Sequence, residues 1–163
     1  MLAEELVGAI RALGRAHDFV RPLEGEKGDS LRGLLAELMA PYQDAEGTRV
    51  RIEGGDCEIG PHSATPLALV FHELATNSAK YGAFSVEGGE VEITIDCPGE
   101  EDVARIHWRE RGGPEVGEPD ADGFGSRLIS MSVERQLSGR LTRRFEPAGI
   151  ELDLEFKSSV IRT

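Results

Sequence analysis

Residues 71–85 read FHELATNSAKYGAFS, and the reading of this stretch decides the rest of the chain. Thr65 and Pro66 make a good N-cap and first-position pair for a helix running to about Tyr81. On that helix Leu67, Val70, Phe71, Leu74 and Ser78 share the face expected to meet a core. Glu73, Thr76, Asn77 and Lys80 stand at i, i+3, i+4 and i+7 and share another face. A solvated face with a Glu–Asn–Lys row explains that pattern. So does a ligand site. A carboxylate and an amide one turn apart can hold Mg²⁺ through one oxygen and waters. A lysine one turn on can meet a phosphate. Asn among good helix formers is mildly unfavourable, which hints at a task.

Upstream, residues 2–20 carry Leu6, Ile10, Leu13 and Phe19 at helical spacing, and Pro22 ends that run. Ser30 caps a second helix, LRGLLAELMAPY, with Leu31, Leu34, Leu35 and Leu38 in one stripe. TRVRIEG (48–54) reads as a strand. Downstream, EVEITIDC alternates with Val91, Ile93 and Ile95 on one face, and VARIHWRE with Ala104, Ile106 and Trp108. A loop rich in Gly, Pro and Asp follows, RGGPEVGEPDADGFG. Leu128, Ile129, Ser132, Val133 and Leu137 mark another helix. GRLTRRFE and GIELDLEF are two last strands, the second with Ile150, Leu152, Leu154 and Phe156 inward. Strands joined both directly and through helices imply a mixed β-sheet with its helices on one face, a two-layer α/β (α+β) sandwich.

The chain has 163 residues, one domain's worth. No stretch reaches the ~20 apolar residues of a membrane span. The N-terminal MLAEELVGAI has acids where a secretion signal has bases, so a cytoplasmic location is the default expectation. Cys57 and Cys97 have no His or Cys at ligand spacing and read as two reduced, partly buried thiols. A net charge of −12 argues against nucleic acid as partner. The charge is uneven: seven acids and no Lys or Arg from Glu87 to Asp102, then five arginines and one acid from Arg127 to Arg144. Two solvated faces account for most of this, and an anion-binding role for part of the basic segment is the sharper alternative.

Two further pieces carry chemistry. In HWRERGGPEV, Glu110 continues the inward face of Ala104, Ile106 and Trp108. An inward acid is costly unless paired, and it can accept from a ligand amino group such as that of adenine. Gly112 and Gly113 would let such a ligand approach the backbone; a turn after an exposed strand end is the plain alternative. In DGFGSRLI, Gly123 and Gly125 open a helix with Ser126 and Arg127 in its first turn. That is an anion site with a forked cation beside it, or a simple loop-to-helix junction.

The three pieces in this order resemble the ATP-binding domain of the GHKL superfamily. They are most similar to the HWE family of bacterial sensor histidine kinases, named for a His in the N box and a W-x-E in the next. Here His72 stands within FHELATNSAKYGAFS, and Trp108 and Glu110 within HWRERGGP. GFGSRLI resembles the second glycine box, LSGRLTRRFEPAGIELDLEF the final helix and strands, and RALGRAHDFV the end of the dimerisation region. The resemblance implies residues 1–22 as the end of a dimerisation and phosphotransfer region and residues 23–163 as the catalytic ATP-binding domain.

By that resemblance, ATP and Mg²⁺ are the expected ligands. Asn77 would bind the metal that bridges the phosphates. Glu73 would orient the metal shell or the acceptor. Lys80 and Tyr81 would face the phosphates. Glu110 would take the adenine amine, where most relatives use an aspartate. Gly112 would line the base, and Gly123, Gly125, Ser126 and Arg127 would close over the phosphates. His72 would brace Asn77 or Glu73. Pro114 departs from the first glycine box, and 113–122 is short for an ATP lid. The acceptor histidine has no match here, since His17 resembles a position near the end of the second dimerisation helix. The chain therefore reads as a fragment of a longer protein. The implied partners are the phosphoacceptor helices of the same parent and a response-regulator receiver domain, with the parent a homodimer. This fragment itself is expected to touch neither nucleic acid nor membrane. An anti-sigma-type serine kinase, a degenerate nucleotide-sensing module and a gyrase-type ATPase stay open as alternatives within this fold.

Overall fold

The computed structural model describes residues 3, 6–8, 10, 30–99, 102–115 and 124–163. Five strands form one sheet: β1 (Val50–Gly54), β2 (Glu90–Asp96), β3 (Val103–Arg111), β4 (Arg140–Glu146) and β5 (Gly149–Lys157). Their order is β1-β2-β3-β5-β4. β1 and β2 run parallel, with Val50 opposite Val91; every other neighbour pair is antiparallel. A parallel pair needs a crossover, and α2 (Pro61–Tyr81) supplies it. The sheet is mixed as expected, because hairpins join its other neighbours or a helix returns the chain to the edge.

The helices α1 (Leu31–Met39), α2 and α3 (Phe124–Met131) carry the apolar residues that cover one sheet face. Leu31, Leu34, Leu35 and Leu38 of α1, and Leu67, Val70, Phe71 and Leu74 of α2, are buried in one core. They meet Val91, Ile93, Ile95, Ala104, Ile106, Trp108, Leu152, Leu154 and Phe156 from the sheet. Period-2 alternation thus faces a 3.6-residue stripe, the arrangement that lets each element bury its apolar side. Ser30 caps α1 as its type predicts, its Oγ accepting from Gly33 N at 2.9 Å. α3 runs on into a π turn over Ser132–Gln136, whose Val133 is fully buried.

Two expectations need correction. α2 begins at Pro61, four residues before Thr65 and five before Pro66, with Gly60 as its N-cap. The cause is tertiary. The chain's last residues form the short helix α4 (Ser158–Ile161) and a final turn against this helix start. There Gly60 N donates to Ile161 O at 2.9 Å and His62 N to Thr163 O at 2.8 Å. Ser63 Oγ also donates to Ile161 O. Those carbonyls satisfy first-turn donors that would otherwise need a side-chain cap. Pro66 lies inside the helix and lacks only the N–H that would have met the His62 carbonyl.

Secondly, Cys57 and Cys97 are joined in a disulfide, with Cα atoms 5.7 Å apart. Parallel pairing of β1 with β2 brings the segments after their C-terminal ends side by side, although 40 residues separate the cysteines in sequence. The boundary expected at residues 22 and 23 lies outside the described residues.

Candidate functional site

The polar face of α2 is graded. Glu73 is buried at 2 % exposure, Thr76 and Asn77 are half-buried, and Lys80 and Tyr81 are exposed. A solvated row would be wet along its whole length, so Glu73 at least is not part of one. The face runs from the interior to the surface over two turns. His72 lies beside it, half-buried, with Nε2 3.5 Å from Thr76 Oγ1. Gly8 sits against the same nitrogen; a Cβ there would stand 2.9 Å from it. His72 therefore meets the N-terminal helical residues.

Glu110 ends the inner face of β3 and is buried at 6 % exposure. Ser78 Oγ donates to its Oε1 at 2.8 Å and Ala83 N donates to the same oxygen at 2.9 Å. Trp108 Nε1 donates to Oε2 at 2.9 Å. The inward acid is thus paired, as its cost demands, with three donors fixed by the C-terminal end of α2, the 3-10 turn Ala83–Ser85 and the indole two residues back. A carboxylate has about four lone-pair sites. Among the described residues three are taken, two on Oε1 and one on Oε2.

Ser78 is the residue that sequence reading missed, since it falls on the core face of its helix. Its Oγ also accepts from Phe84 N at 3.1 Å, so it links the helix, the turn and Glu110. The available signal was an inward acid on one element and an inward hydroxyl on another. Arg49 was missed as well. Its guanidinium donates to Phe84 O at 3.0 Å and Val86 O at 2.9 Å, and lies over the Phe84 ring at 5.3 Å. Tyr42 stacks on the same ring at 4.9 Å. Together they anchor the segment that follows α2.

Gly112 and Gly113 both lie in close backbone packing. Gly112 has φ +73, and a Cβ there would stand 2.9 Å from Gly88 O. A Cβ on Gly113 would stand 2.8 Å from Ala83 N. The backbone that approaches them is that of residues 82–89. α3 packs against α2 and carries Arg127, exposed, in its first turn; Gly125 and Ser126 are helical. α2 is thus joined to the end of β3 through Ser78 and Glu110, and α3 packs against α2. Gly123 and most of the expected lid lie outside the described residues. Of the arginines between 127 and 144, Arg144 pairs with Asp153 at 2.7 Å on the outer sheet face, as a solvated face would have it.

No profile of a known protein family matches the chain. Blue-light-activated histidine kinase 1 of Erythrobacter litoralis is 35 % identical over 153 residues, covering 91 % of this chain and 42 % of that protein. The blue-light-activated histidine kinase of Brucella ovis is 32 % identical over 147 residues, covering 89 % and 30 %. The chain therefore spans less than half the length of either relative. Among solved structures, the histidine kinase domain of a blue-light-activated histidine kinase of Erythrobacter litoralis superposes with TM-score 0.70 at 18 % identity, over 97 % of this chain and 77 % of that one. Full-length ShkA in complex with AMPPNP gives 0.57 at 23 %, over 93 % and 35 %. The histidine kinase ThkA in complex with the response regulator TrrA gives 0.58 at 15 %, over 99 % and 50 %. With His72 in its N-box stretch, Trp108 and Glu110 in the next, and a sheet and helix order that shares the fold of a histidine kinase domain, the chain belongs to the HWE-type histidine kinases.

Proposed function

We propose that this domain binds Mg·ATP and presents the γ-phosphate to a histidine on a helical domain of the same parent protein, for relay to a response-regulator receiver domain. One observation carries the reading: the buried Glu110 carboxylate joins the end of β3 to the end of α2 at Ser78, one residue from Asn77 and two from Lys80. A base held at Glu110 would lie near the helix face that can hold the phosphates. Oε2, which takes one donor among the described residues, would accept a second from the adenine amine.

Among the described residues no three His, Cys, Asp or Glu converge on a metal site. Mg²⁺ at Asn77 would therefore take most of its oxygens from phosphates and water, with Glu73 behind it, which is how this ion is commonly bound. Bound there, it would neutralise charge on the β- and γ-phosphates. Lys80 and Arg127 would add positive charge from two helices. Tyr81 would flank the phosphates, Gly112 would shape the turn beside the base, and Gly123, Gly125 and Ser126 would close over the phosphates. The domain's contribution is positioning and charge neutralisation; the acceptor imidazole attacks phosphorus and ADP leaves.

Residues 1–22 would be the end of the parent's dimerisation and phosphotransfer helices, and 23–163 the catalytic domain. Leu6, Val7 and Ile10 are helical residues with exposed apolar side chains, which a further helix of a homodimeric parent would cover. Among the described residues no helix is long and apolar enough to cross a membrane. A cytoplasmic site of action fits an ATP-dependent relay.

The test is calorimetric titration of the chain with ATP, with and without Mg²⁺, beside Asn77→Ala. Binding that requires Mg²⁺ and is lost in the variant is expected. A wild-type chain that binds no ATP at millimolar concentration would overturn the proposal.

A further inference from the structure

We infer that Trp108 and Ser78 are positioning residues that hold Glu110 as a fixed acceptor and thereby set the base selectivity of the nucleotide site. The inference rests on the function proposed above and goes beyond it by assigning selectivity to residues that would not touch the nucleotide.

Glutamate is a poor choice for reading a base edge. It has three side-chain torsions, and it is one methylene longer than the aspartate that most of the wider superfamily is expected to use. Left free, its carboxylate could reach the amine of adenine or, by a small swing, the ring N–H of a 6-oxopurine. The structure removes that freedom. Trp108 and Glu110 are two residues apart on one strand, so both side chains project from the same face. Trp108 is fully buried, and an indole N–H can only donate. Its position fixes Oε2 through the 2.9 Å bond.

Oε1 is fixed from the other side. Ser78 Oγ accepts from Phe84 N, which directs its own proton towards Oε1, and Ala83 N adds a second donor. Gly82 closes the space around the carboxylate. A Cβ at residue 82 would collide with Glu110 Oε1, while the backbone there has φ −115, open to any residue. Glycine at 82 is therefore a matter of room for the carboxylate.

Four constraints thus come from three elements. What remains is one acceptor site on Oε2, held in place. A 6-amino purine offers it a donor. A 6-oxo purine offers a second acceptor, and the carboxylate cannot turn to meet the ring N–H. Discrimination of this kind is strong when a buried polar group would be left facing the wrong partner.

The experiment compares ATP with inosine triphosphate, which carries the same phosphates and a 6-oxo base, by titration calorimetry in excess Mg²⁺. Wild type, Trp108→Phe and Ser78→Ala are each checked for folding by thermal melting. The wild-type chain should prefer ATP. In both variants the ATP-to-ITP affinity ratio should fall by roughly tenfold, the scale of one charge-assisted hydrogen bond, through weaker ATP binding with ITP binding little changed. A purely structural role would weaken both nucleotides alike or neither. Folded variants that keep the wild-type ratio overturn the inference and leave the proposed function standing. Should Trp108→Phe fail to fold, Ser78→Ala decides alone. A wild-type chain that binds both nucleotides equally overturns the inference by removing the selectivity it explains. One that binds neither overturns the proposed function, and the inference with it.

Discussion

The two faces of β3 carry similar chemical groups under different physics. On the inner face, Glu110 accepts from an indole, a hydroxyl and a backbone amide, all in the core. On the outer face, His107 lies between Asp153 Oδ1 at 2.7 Å and Glu151 Oε1 at 3.2 Å. Arg109 and Arg144 add ion pairs to the same two carboxylates. Counted as contacts, the outer cluster is the richer. Its members keep between a fifth and just under a half of their side-chain surface in water, so each can trade a partner for solvent. Glu110 cannot. Burial turns three modest bonds into a requirement, because an unmade bond there leaves a donor with no water to replace it. The inner set can therefore define a geometry that a ligand reads, while the outer set keeps an open sheet face soluble.

The largest effect expected on this comparison is from Trp108→Ala. It removes a fully buried ring and the donor to Glu110 at once. A loss of about 3–5 kcal/mol in urea unfolding is expected. A loss near 1 kcal/mol would mean that the core closes over the gap and the inner face is not tightly specified.

Glu110→Leu follows. It keeps apolar volume but strands the donors of Ser78, Ala83 and Trp108. Each buried donor left unmade costs at least about 1 kcal/mol, so a total near 3 kcal/mol for the three is expected by the same measurement. A neutral outcome would place the carboxylate in a wet site and erase the contrast between the faces.

Asp153→Asn tests the outer face. It weakens a hydrogen bond with His107 and an ion pair with Arg144, and should cost less than about 1 kcal/mol. A cost above about 2 kcal/mol would show that the outer cluster is a cooperative network.

The smallest effect is one of pH. Burial pushes the Asp153 carboxyl up, but the hydrogen bonds and charges of His107 and Arg144 outweigh it and hold the group below its usual value. A carboxyl depressed in the folded state adds stability above its unfolded pKa of about 3.9 and loses it as pH falls through the folded value. The window is therefore below about pH 4. Because about a third of the side chain is exposed, solvent screens it and the contribution is a few tenths of a kcal/mol at most, on the order of a surface pair. Unfolding midpoints measured at pH 5 and pH 3 should fall slightly less in Asp153→Asn than in wild type. An equal fall in both would remove Asp153 from the acid response.

The sequence by itself determined most of the architecture. Alternation in β2, β3 and β5 and the leucine stripe of α1 are local patterns with a single way to bury their apolar sides, and they folded as read. The polar face of α2 was visible for the same reason, as was the oddity of an inward acid at Glu110. Tertiary structure alone decided what those patterns meet. The start of α2 moved to Pro61 because residues 161–163 come back to satisfy its first amides, a contact no local signal encodes. Cys57 and Cys97 are neighbours because β1 and β2 pair in parallel across an intervening helix. Ser78 read as a small core residue, and became the link between α2 and Glu110 only when β3 brought that carboxylate within reach of it. Periodicity reports which face of an element avoids water. Which donor meets which acceptor is set by distances between elements far apart in the chain, and only the folded sheet fixes those.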